Sequence, residues 1–109
     1  MSTRKVVEYV EPNGVSPFAK WFHRLDATAG AKVTTALYRM EQGNFSNVKA
    51  VGGGVAEYRI DFGPGYRIYF GQEGNVMVIL LGGGTKKGQS ADILQAQQRW
   101  RDYRARRKR

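Results

Sequence analysis

A chain of 109 residues has room for one hydrophobic core and not two, so a single domain over residues 1–109 is expected. Eighteen Lys and Arg against nine Asp and Glu leave a formal charge of +9, which favours a polyanionic partner: nucleic acid, an acidic protein or an anionic membrane. With no cysteine there can be no disulfide, thiolate metal site or cysteine nucleophile, and a single His gives no basis for a zinc or iron centre, so no metal and no cofactor is expected. The first residues lack the apolar run of a signal peptide, and the longest apolar stretch, Val76 to Leu81, is far short of the roughly 20 residues that span a bilayer. The expectation is a soluble, cytoplasmic protein with no membrane partner.

Arg4 to Val10 is rich in β-branched and aromatic residues and ends at Pro12-Asn13-Gly14, which predicts a first strand. Ser16-Pro17 then reads as an N-cap with proline at the first helical position, and Phe18, Trp21, Phe22 and Leu25 recur at helical spacing. After a break near Asp26 to Gly30, the spacing of Val33, Ala36, Leu37 and Met40 predicts a second helix that stops at Gly43-Asn44, giving a helical hairpin. Gly52 to Gly54 form a flexible approach to a β-hairpin in which Val55 to Phe62 and Tyr66 to Gly71 flank Gly63-Pro64-Gly65. Gln72 to Asn75 is another turn, and the apolar run Val76 to Leu81 suits a central strand covered on both faces. Gly82 to Gln89 reads as a loop. Ser90 caps a last helix with Ile93, Ala96, Trp100 and Tyr103 on one face, whose basic tail, at about 105–109, should fray. The order is β-α-α-β-β-β-α, an α+β fold.

Alternation in the hairpin assigns Tyr58, Ile60, Phe62, Tyr66, Ile68 and Phe70 to a core face and Glu57, Arg59, Asp61, Arg67 and Tyr69 to a polar face. A hairpin symmetric about Pro64 would set Arg59 opposite Tyr69 and Asp61 opposite Arg67, a plausible phosphate platform. The same pattern also describes a solvated sheet face with one cross-strand ion pair, and alternation does not choose between the two. Gly82-Gly83-Gly84-Thr85-Lys86-Lys87-Gly88-Gln89 has the composition of a phosphate-binding loop but not the Walker A spacing, which argues against nucleoside triphosphates. Its backbone NH groups and two lysines could hold an RNA phosphate, or simply connect a strand to a helix. On the last helix, Trp100 and Tyr103 read as core anchors. Arg99, Arg101 and Arg104, with Arg106 and Arg107, read as a nonspecific electrostatic surface for RNA. His23, beside Phe22 on the first helix, reads as a packing or surface residue.

Taken in order, Glu57-Tyr58-Arg59, Gly63-Pro64-Gly65-Tyr66-Arg67-Ile68-Tyr69-Phe70, Leu80-Leu81-Gly82-Gly83-Gly84-Thr85-Lys86-Lys87-Gly88-Gln89 and Asp92-Ile93 resemble the RelE/ParE toxin superfamily, most of all its HigB-like addiction module killer proteins. Thr85 departs from the pattern, since many relatives carry Asp there. The resemblance implies a compact RelE-like fold, with an antiparallel sheet packed against an N-terminal helical hairpin and a C-terminal helix. It implies the toxin of a type II toxin-antitoxin system, a ribosome-dependent mRNA endoribonuclease (mRNA interferase) that inhibits translation and arrests growth. The alternatives are a ParE-like, non-enzymatic inhibitor of DNA gyrase, or an inactive, regulatory binding protein; fold alone does not choose. Its implied partners are a cognate antitoxin of the helix-turn-helix type lying over the basic patch, mRNA on the ribosome, and operator DNA through the antitoxin complex. For the RNase reading, Arg59, Arg67, Lys86 and Lys87 are the expected phosphate binders and charge stabilisers, with Tyr69 for proton transfer or base stacking, its pKa lowered by nearby cations. Replacing Arg67 by Ala should then abolish growth arrest and spare the fold.

Overall fold

The computed structural model describes residues 3–107. The elements are β1 (Lys5–Glu8), α1 (Pro17–Phe22), α2 (Ala27–Glu41), β2 (Val48–Gly52), β3 (Val55–Ile60), β4 (Tyr66–Glu73), β5 (Met77–Thr85), a 3-10 turn (Lys86–Gly88) and α3 (Gln89–Arg107). The fold is α+β, with one five-stranded sheet in the order β1-β5-β4-β3-β2. Two features depart from the expected antiparallel sheet. Val48–Gly52 is a strand, antiparallel to β3, where only a glycine approach was expected. And β1 runs parallel to β5, Lys5 against Met77 through Glu8 against Leu80, so the sheet is mixed. The chain leaves β1 at one edge, crosses a face of the sheet as α1 and α2, and re-enters at the opposite edge as β2. That long crossover fixes the direction of β1, and no local pattern records it.

The helices cover both faces. On one, Phe18 and Trp21 of α1 and Val33, Ala36 and Met40 of α2 pack on Tyr58, Ile60, Ile68, Phe70, Val78 and Leu80. On the other, Ala96 and Trp100 of α3 pack on Val55, Tyr69, Ile79 and Leu81. The apolar run of β5 is therefore split by alternation between two cores, as a strand covered on both faces requires. Ser16 accepts a hydrogen bond from the Ala19 amide at 3.0 Å and Pro17 opens α1, as the sequence predicts. The break before α2 is shorter than predicted because the Asp26 carboxylate caps Ala29 at 2.8 Å, which starts the helix at Ala27 and leaves Gly30 inside it.

The glycine run needs a larger correction. Gly82 to Thr85 is not a loop but the end of β5, paired with Tyr66 to Tyr69 of β4. Glycine is required there because neighbouring side chains lie directly on the backbone. A Cβ at Gly83 would collide with the Trp21 ring, one at Gly84 with the Asp92 carboxylate, and one at Gly82 would meet an Arg99 nitrogen at 2.8 Å. The register slips between Tyr69 and Phe70, a bulge that leaves both Leu81 and Gly82 facing α3. Likewise, α3 does not begin with a Ser90 cap. The 3-10 turn runs straight into it, so Ser90 lies within its first turn.

Of the basic tail at about 105–109, residues 105–107 belong to α3. Helix α3 continues to Arg107, with Arg106 paired to Asp102 at 2.7 Å and donating to the Val10 carbonyl, and Arg107 held by Glu73 at 3.1 Å. Residues 108 and 109 lie outside the described residues.

Candidate cationic cleft

The hairpin closes in a different register from the symmetric one. Ile60 pairs with Tyr66, which sets Arg59 opposite Arg67 and Glu57 opposite Tyr69. The Gly63-Pro64-Gly65 turn is centred nearer Gly63 than Pro64: the Gly65 amide donates to the Phe62 carbonyl, and Asp61 falls outside the strand. The predicted Asp61–Arg67 pair is thus absent. Two like charges opposite one another are unfavourable unless a counter-charge lies between them. Glu57 supplies it, with one carboxylate oxygen 3.8 Å from Nε of both Arg59 and Arg67. Its other oxygen accepts a 2.7 Å hydrogen bond from the Gln89 amide at the start of α3.

Alternation assigns the faces of the paired strand residues but not their exposure, and it wrongly sends Phe62 to the core face: the chain has left β3 at that point and the ring is 36% exposed. The polar face is covered by α3, leaving Glu57 1% and Arg67 5% exposed, while the Arg59 side chain reaches out at 54%. Tyr69 is 1% exposed, with no hydrogen-bond partner for its hydroxyl among the described residues. Burial, reinforced by Glu57 and Asp92, raises its pKa against the pull of Arg67. This is the reverse of the expected lowering. The proton-transfer or stacking role does not fit a phenol sealed beneath a helix that keeps its proton.

Where β2, the hairpin turn and the 3-10 turn meet, a cleft of about 410 Å³ opens, its cations being Lys49, Arg59, Arg67 and Lys86. Ser46, Asn47, Asp61 and Gly65 line it too. Lys86 is fixed there by its own amide, which donates to the Gly65 carbonyl at 2.8 Å. Gly65 has φ +78°, and a Cβ on it would lie 3.2 Å from an Arg67 nitrogen and 3.5 Å from Lys86, so this turn both bends the chain and clears the cleft. Three of the predicted residues, Arg59, Arg67 and Lys86, are therefore brought together. Lys87 is exposed on the 3-10 turn but does not line the cleft.

The arginines of α3 stand apart. Arg99 donates to the Leu81 carbonyl at 3.0 Å, Arg101 is exposed, and Arg104 lines a cavity with Gln72 and Glu73 at the far end of β4. Lys49 and Asn47 went unrecognised because β2 did; the only local sign of that strand is a pair of β-branched residues, Val48 and Val51, before the glycines, and their spacing of three puts them on opposite faces rather than in an alternating pattern. Glu57 was placed on the right face but not singled out. His23 is exposed at the end of α1 against Phe22, as expected. Among the described residues, no group of three or more His, Cys, Asp or Glu could hold a metal ion, and no helix is long and apolar enough to cross a membrane.

An uncharacterized protein of Haemophilus influenzae (strain ATCC 51907 / DSM 11121 / KW20 / Rd) is 44% identical over 80 residues, which covers 72% of this chain and 81% of that protein. The family described as Phage derived protein Gp49-like (DUF891) matches residues 20–101, from α1 into the second half of α3 and across every residue of the cleft. On that match, the chain belongs to the Gp49-like family of phage-derived proteins.

Proposed function

We propose that this protein is the toxin of a type II toxin-antitoxin pair and that it cleaves messenger RNA on the translating ribosome. The Gp49-like family is associated with toxin-antitoxin modules, which supports an antitoxin as its partner. The observation that carries the RNase reading is the convergence of Lys49, Arg59, Arg67 and Lys86 from four separate elements on one cleft. In the proposed reaction an RNA 2′-oxygen attacks the adjacent phosphorus, its proton leaves, and the 5′-oxygen departs with a proton, giving a cyclic phosphate. Negative charge gathers on the phosphoryl oxygens in the transition state, and preformed cations stabilise it without reorganisation. Arg59 and Lys86, which reach solvent, bind and neutralise the phosphate, and Arg67, clamped by Glu57, fixes the depth of the cleft. With Tyr69 sealed, the reading assigns proton removal to groups of the ribosomal site, so cleavage should require translation.

The test is to induce the protein without antitoxin and map RNA 5′ ends with translation running or blocked. New ends at codon-spaced positions, lost when translation stops, support the reading; growth arrest with intact mRNA and DNA damage would move it to gyrase. Replacing Arg59 or Lys86 by Ala should cut the cleavage rate about 100-fold, the order seen when one charge-stabilising donor is removed. Arg67→Ala is a poor probe, since it strands the buried Glu57 carboxylate and endangers the fold.

A further inference from the structure

A second cavity of about 260 Å³ adjoins the cleft and shares Asn47, Arg59 and Asp61 with it. Its far wall is α2, which contributes Lys32, Thr35 and Arg39, residues three, four and seven apart and so on one helix face. Its rim is Phe62, a large apolar side chain 36% exposed just beyond β3. The Lys32 ammonium stands 5.0 Å from the Phe62 ring centroid. An exposed ring flanked by cations contributes little to a core, but it matches a single-stranded nucleic acid, whose bases stack on aromatic rings while its phosphates follow positive charge.

Resting on the endonuclease reading, we infer that the shared wall makes the two cavities one groove, and that the groove holds single-stranded RNA beyond the scissile phosphate. A flanking base stacks on Phe62, and its phosphate lies between Lys32 and Arg39. Arg59 is the ridge both cavities share and bridges consecutive phosphates. Asp61, the carboxylate on that ridge, cannot favour a phosphate; it can accept a hydrogen bond from a base amino group, which turns the base edge toward the protein and the backbone away.

The experiment measures binding of 2′-O-methyl tri-adenylate and hexa-adenylate, which cannot be cleaved, to the full chain. The hexamer should bind about tenfold tighter than the trimer. Lys86→Ala should weaken both probes. Phe62→Ala should weaken the hexamer about tenfold, the scale of one lost base stack, and leave the trimer unchanged. Phe62→Trp, which keeps a stacking surface, should retain hexamer affinity. Lys32→Ala and Arg39→Ala should each lower the salt slope of hexamer binding by about 0.7, one phosphate contact apiece. Equal affinity for the two probes, or a hexamer indifferent to Phe62→Ala while Arg59→Ala weakens it, overturns the groove and leaves the endonuclease reading standing. If the folded wild-type protein binds neither probe, the groove falls, while the endonuclease reading is decided separately by the translation-dependent RNA 5′ ends.

Discussion

Glu57 carries more of the site than its lack of solvent exposure suggests. It is the sole carboxylate within ion-pair distance of the two facing arginines among the described residues, and Gln89 holds its second oxygen. Glu57→Gln leaves Arg67 buried without a counter-charge, so a loss of about 3 kcal/mol is expected in urea unfolding, against nearly none for the exposed Lys86→Ala. Asp92 makes a pH-dependent prediction. Burial raises its pKa more than Arg99 lowers it, so the folded chain holds this proton to a higher pH than the unfolded chain does. Between the two pKa values the native state binds more protons, and stability falls as pH rises through that window. Asp92→Asn removes this contribution. The difference in unfolding midpoint between the variant and wild type should therefore shift in the variant's favour from about pH 4 upward, starting near the ordinary Asp pKa. A pH-independent difference would count against it. At this scale the sequence was legible for side-chain type and face, as with Arg59 and Tyr58. It was not legible for Tyr69, whose exposure depends on a helix that begins twenty residues later.

Helix α3 is bound to the sheet by glycines opposite its large residues. Trp100 lies over Gly71, so close that a Cβ there would overlap its ring, and its indole nitrogen would be 2.6 Å from a Cβ at Gly54. The Trp100 and Tyr103 rings stack at 5.4 Å, extending that contact toward the end of the helix. On the opposite face Trp21 lies over Gly83 in the same way. Gly71→Ala and Gly83→Ala should each cost about 1–3 kcal/mol through overpacking, seen as a lowered Tm with the far-ultraviolet spectrum retained. The first loosens α3 and the second α1. The periodicity of Ile93, Ala96, Trp100 and Tyr103 announced the buried face of α3, and Ser16-Pro17 announced the start of α1, because caps and helical spacing are local. The glycine run was misread for a physical reason: three glycines in succession have the composition of a loop, and only tryptophan, aspartate and arginine side chains packed on them explain why they belong in a strand.

At the scale of the whole molecule, the site lies where strands from both halves of the chain converge. The cleft takes Lys49 from β2, Arg59 from β3, Arg67 from β4 and Lys86 from the turn after β5, while the α3 arginines sit elsewhere. Arg104, at the far end of β4, should therefore contribute only general attraction. Arg104→Ala should lower hexa-adenylate affinity at low salt by less than about threefold and leave mRNA cleavage unchanged, since a remote exposed charge is screened within a Debye length of about 10 Å at 0.1 M salt. A loss as large as that of Arg59→Ala would move the RNA path onto α3. The sequence by itself determined the α+β class, the start of α1, the hairpin, the doubly covered strand and the positive charge, all of which follow from composition and from spacing between near neighbours in the chain. Tertiary structure alone decided the parallel edge strand, the fifth strand that brings in Lys49, the hairpin register and the burial of Glu57, Arg67 and Tyr69. Each of these depends on which distant segment lies alongside, and strand pairing and helix cover are fixed by contacts between residues far apart in the chain.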